Sequence, residues 1–206
     1  MAMEENNLNK KNLQEVYGKL AAIIASEGFL CNQGLNNEVP FHICPYDPAL
    51  QVDVSQMVRQ LTNHLEDNNV PVLNINLYDL AIEVLQAEGD WDWILENESS
   101  MTKSELRDEL QGILDIETVV IPAITKRISA SRFKVLLITG VGEVFPYIRS
   151  HNILNNLQKQ AKDFPTLMFF PGRYEHTLEQ GASLELFGKL QEDNYYRAFN
   201  ILDRAV

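Results

Sequence analysis

The most apolar run of the chain covers residues 133–139 and is followed at once by Gly140. A run of this kind predicts a strand that is covered on both faces, as strands are in parallel sheets packed between helices. Shorter apolar runs at 39–44, 70–75 and 165–170 predict three more strands, and segments with helical periodicity separate them. This alternation predicts an α/β three-layer sandwich with a mostly parallel sheet of four or five strands.

Residues 90–131 interrupt the alternation because their pattern is helical throughout. Thr102 and Glu105 have the spacing of a capping box, which marks the start of one of these helices. We therefore expect a helical insertion over about 90–131 that covers the sheet. No linker-like composition brackets it, and 206 residues are within the range of one core, so residues 1–206 are expected to form a single domain.

The net charge of the chain is −12 and arises in its first half. Residues 1–100 contain 4 basic and 16 acidic side chains, whereas residues 101–206 contain 13 of each. Because an acidic half repels phosphate backbones, we do not expect direct binding to nucleic acid. A basic protein partner is favoured instead, because opposite potentials steer the encounter of two proteins.

Three features indicate a cytoplasmic protein without a membrane partner. The first residues are polar and acidic, unlike the basic and then apolar start of a signal peptide. No apolar run approaches the about 18 residues that a membrane span requires. The two cysteines, Cys31 and Cys44, are too few for a secreted disulfide framework.

The strand at 133–139 leads into a glycine turn, which is the best sequence candidate for ligand binding. A helix is predicted to start near Pro146, and a strand, a glycine turn and a helix N-terminus together suit a phosphate group. The motif is incomplete, because Glu143 and Val144 stand where a Walker loop has lysine and serine or threonine, and Phe145 replaces a third glycine. The turn is therefore either a nucleotide site or a plain strand-to-helix corner. The candidate nucleotide-binding residues are Gly140, Gly142 and Arg149.

No pair of side chains completes a catalytic or metal-binding pattern in the sequence. Ser150 and His151 are neighbours on the predicted helix and point about 100° apart, so they do not form a nucleophile and its base. His42 and Cys44 project from one side of a predicted strand, but the remaining histidines stand at spacings that do not complete a ligand set. We therefore expect no catalytic residue, no metal and no cofactor.

Two groups of residues are candidates for contacting a protein partner. Arg149, Asn152 and Asn156 share one face of the predicted helix, where they could meet a carboxylate or a partner's backbone, or simply pack beside a loop. Residues 79–98 contain seven acids, no base and both tryptophans of the chain. Exposed tryptophan within an acidic rim is typical of a binding hot spot, and a solvated charged face is the alternative. The candidates in this second group are Trp91 and Trp93.

The aromatic-rich segment at 195–199 predicts a terminal helix. If this segment returns to the carboxyl edge of the sheet, it lies near the glycine turn. Its polar groups would then serve either a ligand cleft or a buried polar brace. The candidate partner-binding residues of this segment are Tyr195, Tyr196 and Arg197.

Four segments together resemble one protein family, and the resemblance spans nearly the whole chain. They are FHICPYDP at 41–48, LITGVGEVFPYIRSHNILNNL at 137–157, FFPG at 169–172 and LFGKLQEDNYYRAF at 186–199. The second segment and the closing NYYRAF are long enough to be specific. On these segments the chain resembles the BrxB family, a core component of BREX (bacteriophage exclusion) defence systems.

The resemblance implies participation in defence against phage DNA, alongside a site-specific adenine methyltransferase, a large ATPase and PglZ, an alkaline-phosphatase-like protein. The family that it points to has no established catalytic activity. The expected role is therefore a non-catalytic core or adaptor subunit that binds the PglZ-like component. Two alternatives stay open: a degenerate P-loop-like subunit that senses a nucleotide, and a subunit of the same system that contacts DNA.

Overall fold

The computed structural model describes residues 7–32, 40–157, 160–177, 181–192 and 198–204. Within these ranges the helices are α1 (Leu13–Ala25), α2 (Glu27–Leu30), α3 (Gln51–Asp67), α4 (Leu77–Glu88), α5 (Asp90–Asn97), α6 (Lys103–Ile113), α7 (Ile121–Ala130) and α8 (Ser150–Leu157). The strands are β1 (Phe41–Tyr46), β2 (Val72–Asn76), β3 (Val135–Thr139), β4 (Thr166–Thr177), β5 (Gly181–Leu186), β6 (Leu190–Glu192) and β7 (Phe199–Asn200). A π-helical turn, Ile116–Val120, leads into α7. None of the described helices combines the length and the apolar character of a membrane-spanning segment.

The main part of the sheet is parallel, with the strands in the order β2-β3-β4-β1-β7. β3 lies between β2 and β4, and its residues 135–138 are fully buried, which confirms the prediction of a central strand covered on both faces. β4 continues beyond the predicted end at residue 170. After Pro171 it leaves β1 and pairs antiparallel with β5, which in turn pairs with β6.

Alternate side chains of the sheet face two separate hydrophobic clusters. On one face Cys44, Leu137 and Leu167 pack with the apolar stripes of α1 and α3. On the other face Ile138 and Met168 pack with buried side chains of α4, α7 and α8. Helices therefore cover both faces, and the predicted α/β three-layer sandwich is confirmed.

The segment between α4 and β3 is helical, as the sequence predicts for residues 90–131. α6 begins at a complete capping box: the Thr102 hydroxyl accepts the Glu105 amide at 3.3 Å, and the Glu105 carboxylate accepts the Thr102 amide at 2.8 Å. Val120 and Ile124 are buried in the cluster to which α8 also contributes. The insertion therefore covers the same face of the sheet as α4 and α8.

The helix that follows the glycine turn starts later than the sequence predicts. The prediction places its first turn at Pro146, whereas α8 begins at Ser150 and residues 141–149 form turns without a regular helix. These turns bury Val144 and Ile148 in the core, at a spacing of four residues that a helix would also give. The apolar spacing alone therefore does not distinguish a helix from this series of turns.

The described carboxyl end of the chain contributes a strand. Phe199 and Asn200 pair in parallel with His42 and Ile43 of β1, and Ala198 before them has no regular structure, so the terminal helix predicted over 195–199 is wrong at both of its described residues. Its residues 195–197 lie outside the described ranges. A strand forms here because it pairs with the edge of β1 that β4 leaves open.

Candidate functional site

A pocket of about 380 Å³ lies where α8 meets the end of α6 and the π-helical turn. One wall is formed by Tyr147, Arg149, Asn152 and Asn156, and the other by Gln111, Leu114, Asp115, Ile116 and Glu117. The first wall contains the helix face that the sequence singles out, and the second belongs to the helical insertion. This pocket, the α8 pocket, is the candidate functional site.

The α8 wall is positioned by the buried side of the same helix. Arg149, Asn152 and Asn156 follow each other at spacings of three and four residues, which places them on one face. The Arg149 carbonyl oxygen accepts the amide of Asn152 at 3.1 Å, so the exposed Arg149 side chain stands at the start of α8. The Asn156 side-chain amide donates to the Asn152 carbonyl oxygen at 2.9 Å. The residues that bury the opposite face in the core are Ile153, Leu154 and Leu157.

The insertion wall is organised around Asp115, which caps the π-helical turn. Its carboxylate accepts the Glu117 amide at 3.1 Å, the Thr118 amide at 2.8 Å and the Thr118 hydroxyl at 2.7 Å. These hydrogen bonds lower the pKa of the exposed Asp115 carboxyl and keep it charged, and the bond from the Thr118 hydroxyl has the largest effect. The Gln111 side-chain amide donates to the Pro146 carbonyl oxygen at 3.0 Å and ties α6 to the turns that precede α8.

The two walls carry opposite charges. Arg149 supplies a guanidinium group, and in the part of the chain that the structure describes no carboxylate forms an ion pair with it. Asp115 and Glu117 supply carboxylates to the other wall, and both are exposed. Guanidinium and amide groups donate hydrogen bonds, whereas carboxylates accept them. The pocket therefore suits a ligand that presents both acceptors and donors, as a polypeptide segment does.

Tyr147 joins this pocket to the carboxyl edge of the sheet. Its hydroxyl donates to the Glu143 carbonyl oxygen at 3.1 Å. Burial raises the pKa of the Tyr147 phenol, and the nearby Tyr78 and Glu143 raise it further. The phenol therefore stays protonated near neutral pH and serves as a hydrogen-bond donor.

The glycine turn has a packing explanation at both of its glycines. Gly140 has a φ of 75°, and a Cβ atom there would overlap the side-chain oxygen of Asn76. A Cβ atom on Gly142 would lie 2.9 Å from Cγ of Pro171 and 3.0 Å from Cε1 of Phe187. Because α8 begins only at residue 150, the strand, turn and helix N-terminus that suggested a phosphate site are not contiguous here.

The other sequence candidates lie away from the pocket walls. Trp91 is half-buried and packs against the hydrophobic cluster to which α4, α7 and α8 contribute, whereas Trp93 is 42% exposed on the same helix, α5. Side chains two residues apart on a helix differ by about 200° in direction, so the two indoles point to different sides. Tyr195, Tyr196 and Arg197 lie outside the described residues.

The two residues considered for metal binding, His42 and Cys44, are buried, as is Ser150, whereas His151 is half-buried. The His42 ring lies 4.9 Å from the Phe29 ring, and burial, together with the charge of Arg204, lowers its pKa to about 4. Burial raises the pKa of the Cys44 thiol to about 12, so it stays protonated. Across the described ranges, no three His, Cys, Asp or Glu side chains come close enough together to hold a metal ion.

The sequence identified one wall of the pocket and missed the other. The helix face of α8 is visible as a spacing pattern within eight residues. The insertion wall had only a local signal, because Asp115 followed three residues later by Thr118 is a capping pattern. That pattern predicts a helix start and says nothing of which distant helix lies opposite.

Comparison with known proteins identifies relatives along most of the chain. A family model described as BREX protein BrxB matches residues 73–201. The BREX protein BrxB of Bacillus cereus (strain H3081.97) is 32% identical over 198 residues, which are 94% of this chain and 100% of the relative. The BREX protein BrxB of Escherichia coli O9:H4 (strain HS) is 28% identical over 180 residues, 87% of this chain and 86% of the relative. No solved structure shows a significant match. The chain therefore belongs to the BrxB family of BREX proteins.

Proposed function

We propose that this protein is a non-catalytic adaptor subunit of a BREX phage-defence complex and that it binds the PglZ-like component through the α8 pocket. Membership of the BrxB family supports the place in a BREX system. The binding role is supported by the polar walls of the pocket, whose described lining contains neither histidine nor cysteine nor serine. Hydrogen bonding and charge are the chemistry that such a lining provides.

The observation that carries the proposal is the exposure and charge of the Arg149 side chain. Its side chain is exposed at the rim of a pocket, without an ion-pair partner among the described residues. Arginine is enriched in binding hot spots, because its planar group makes paired hydrogen bonds to carboxylates and to backbone oxygens. The neighbouring Asn152 adds an amide that both donates and accepts. A loop of the partner that carries a carboxylate would satisfy both residues.

Co-purification tests this proposal. The tagged full chain is expressed with the other products of its operon, and the recovered PglZ-like protein is quantified for the wild type and for Arg149→Ala. The matched control is Arg59→Ala, which removes an exposed arginine from α3 on the opposite layer. We expect recovery to fall at least tenfold for Arg149→Ala and to stay at the wild-type level for Arg59→Ala. Equal recovery with all three proteins, each folded by circular dichroism, would contradict the proposal.

The two alternatives from the sequence predict different results. A nucleotide-sensing subunit that uses Gly140, Gly142 and Arg149 would be stabilised by ATP or GTP with magnesium, by about 2.7 kcal/mol at 100 times the dissociation constant. A DNA-contacting subunit would bind duplex with an affinity that falls steeply as salt is raised. The adaptor role predicts neither a shift in Tm with millimolar nucleotide nor salt-dependent duplex binding.

A further inference from the structure

The outer face of α5 is a surface of mixed apolar and acidic character. Ile94 is buried and faces inward, so Asp92 and Glu96 form a ridge on the opposite, solvent-facing side of the helix. Trp93 and Leu95 flank this ridge on its two sides and are 42% and 49% exposed. A partner that covers these two large apolar side chains removes their exposed apolar area from water, which stabilises the complex.

The surroundings of this face carry negative charge that is not neutralised. Residues 79–98 contain seven carboxylates and no basic side chain. Glu83 forms an ion pair with Arg127 across to α7. For the other six carboxylates the described residues supply no ion-pair partner. The face therefore combines exposed apolar area with a local field of one sign.

We propose that the outer face of α5, formed by Asp92, Trp93, Leu95 and Glu96, docks a basic segment of a protein partner that interleaves arginine or lysine with apolar side chains. Cationic side chains would meet the ridge, and apolar ones would cover Leu95. An arginine would also stack favourably on the face of the Trp93 ring. This surface is separate in residues from the α8 pocket, and the proposal does not rest on the adaptor role.

Charge selects this occupant over the other candidates. A nucleic acid brings phosphates, which the carboxylates repel. A second copy of this chain brings a net charge of −12, so it offers no overall attraction to an acidic face. A basic protein segment is attracted at long range and neutralises the carboxylates on contact.

The probe is a labelled synthetic 18-residue amphipathic helix of leucine, lysine and arginine, titrated with the full chain and followed by fluorescence anisotropy. The test variant is Asp92→Asn/Glu96→Gln on α5. The matched control is Glu66→Gln/Asp67→Asn, which removes the same charge from exposed positions on α3. We expect the dissociation constant to rise at least tenfold in the α5 variant and to change less than twofold in the control. Equal effects of the two variants would mean attraction by net charge alone and would overturn the proposal.

A second measurement observes the apolar part of the face. In the Trp91→Phe variant Trp93 is the remaining tryptophan, and its emission should shift to the blue when the peptide covers it. Trp93→Ala, which leaves Trp91 in place, should weaken peptide binding about tenfold in the anisotropy assay. Unchanged emission together with unchanged affinity of Trp93→Ala would refute docking at α5. Sedimentation of the wild type as a dimer that Leu95→Ala converts to a monomer would assign the face to a second copy and refute it as well.

Discussion

Replacement of Gly140 by alanine is expected to lower the free energy of unfolding by about 2–3 kcal/mol. A non-glycine residue in the left-handed region costs about 1–2 kcal/mol, and Gly140 has a φ of 75°. The new methyl group would also overlap the Asn76 side-chain oxygen, which caps α4 by accepting the amides of Tyr78 and Asp79. Loss of a helix N-cap costs about 1 kcal/mol. The two costs arise from different contacts and are expected to add.

A double-mutant cycle separates these two costs. Asn76→Gly removes the atom with which the methyl group would collide, and glycine at an N-cap costs only a few tenths of a kcal/mol. Gly140→Ala in that background should therefore cost about 1 kcal/mol less than in the wild type. Urea unfolding followed by circular dichroism provides the free energies. A cost below about 0.5 kcal/mol for Gly140→Ala, or a cycle without coupling, would refute the packing explanation and favour a ligand-binding reason for this glycine.

Three further predictions concern stability and reactivity. The pKa of His42 falls from 6.5 to about 4 on folding, so the unfolded chain takes up the proton first, and the free energy of unfolding should fall by about 3 kcal/mol as the pH is lowered from about 6.5 to about 4. Urea unfolding of His42→Leu at both pH values should show a pH dependence that lacks this component. An identical pH dependence in the wild type and the variant would contradict the prediction. Thr102→Ala removes the hydroxyl that caps α6 and should cost about 1 kcal/mol in the same assay, whereas a neutral effect would mean that the capping box adds nothing. A thiol reagent should modify the exposed Cys31 quickly and the buried Cys44 only after denaturation, because burial raises the pKa of Cys44 to about 12; two fast-reacting thiols in the native protein would contradict this.

The parts of the fold that could be predicted are those whose cause lies in neighbouring residues. The run at 133–139 is apolar on both of its alternating sides, and only a strand between two helical layers buries both. Thr102 and Glu105 satisfy each other's backbone amides within one turn, so their spacing suffices to locate the start of α6. Such local causes were enough to give the three layers and the helical insertion.

The parts that could not be predicted depend on contacts between distant segments. β4 continues past residue 170 because it pairs there with a second strand, β5, and the residues before 170 give no signal of this pairing. α8 starts at Ser150 because the preceding turns pack into the core, although their apolar spacing is helical. The pocket itself joins Arg149 to Asp115 across 34 positions of the chain, so only the packing of the insertion creates it.

The central claim is that this chain acts by holding another protein against the α8 pocket. Isothermal titration of the purified chain with the purified PglZ-like protein of the same operon tests it most directly. We expect saturable binding at a fixed stoichiometry, weakened at least tenfold by Arg149→Ala and unaffected by Arg59→Ala. Absence of binding between the two purified wild-type proteins, or an equal affinity of Arg149→Ala, would contradict the claim.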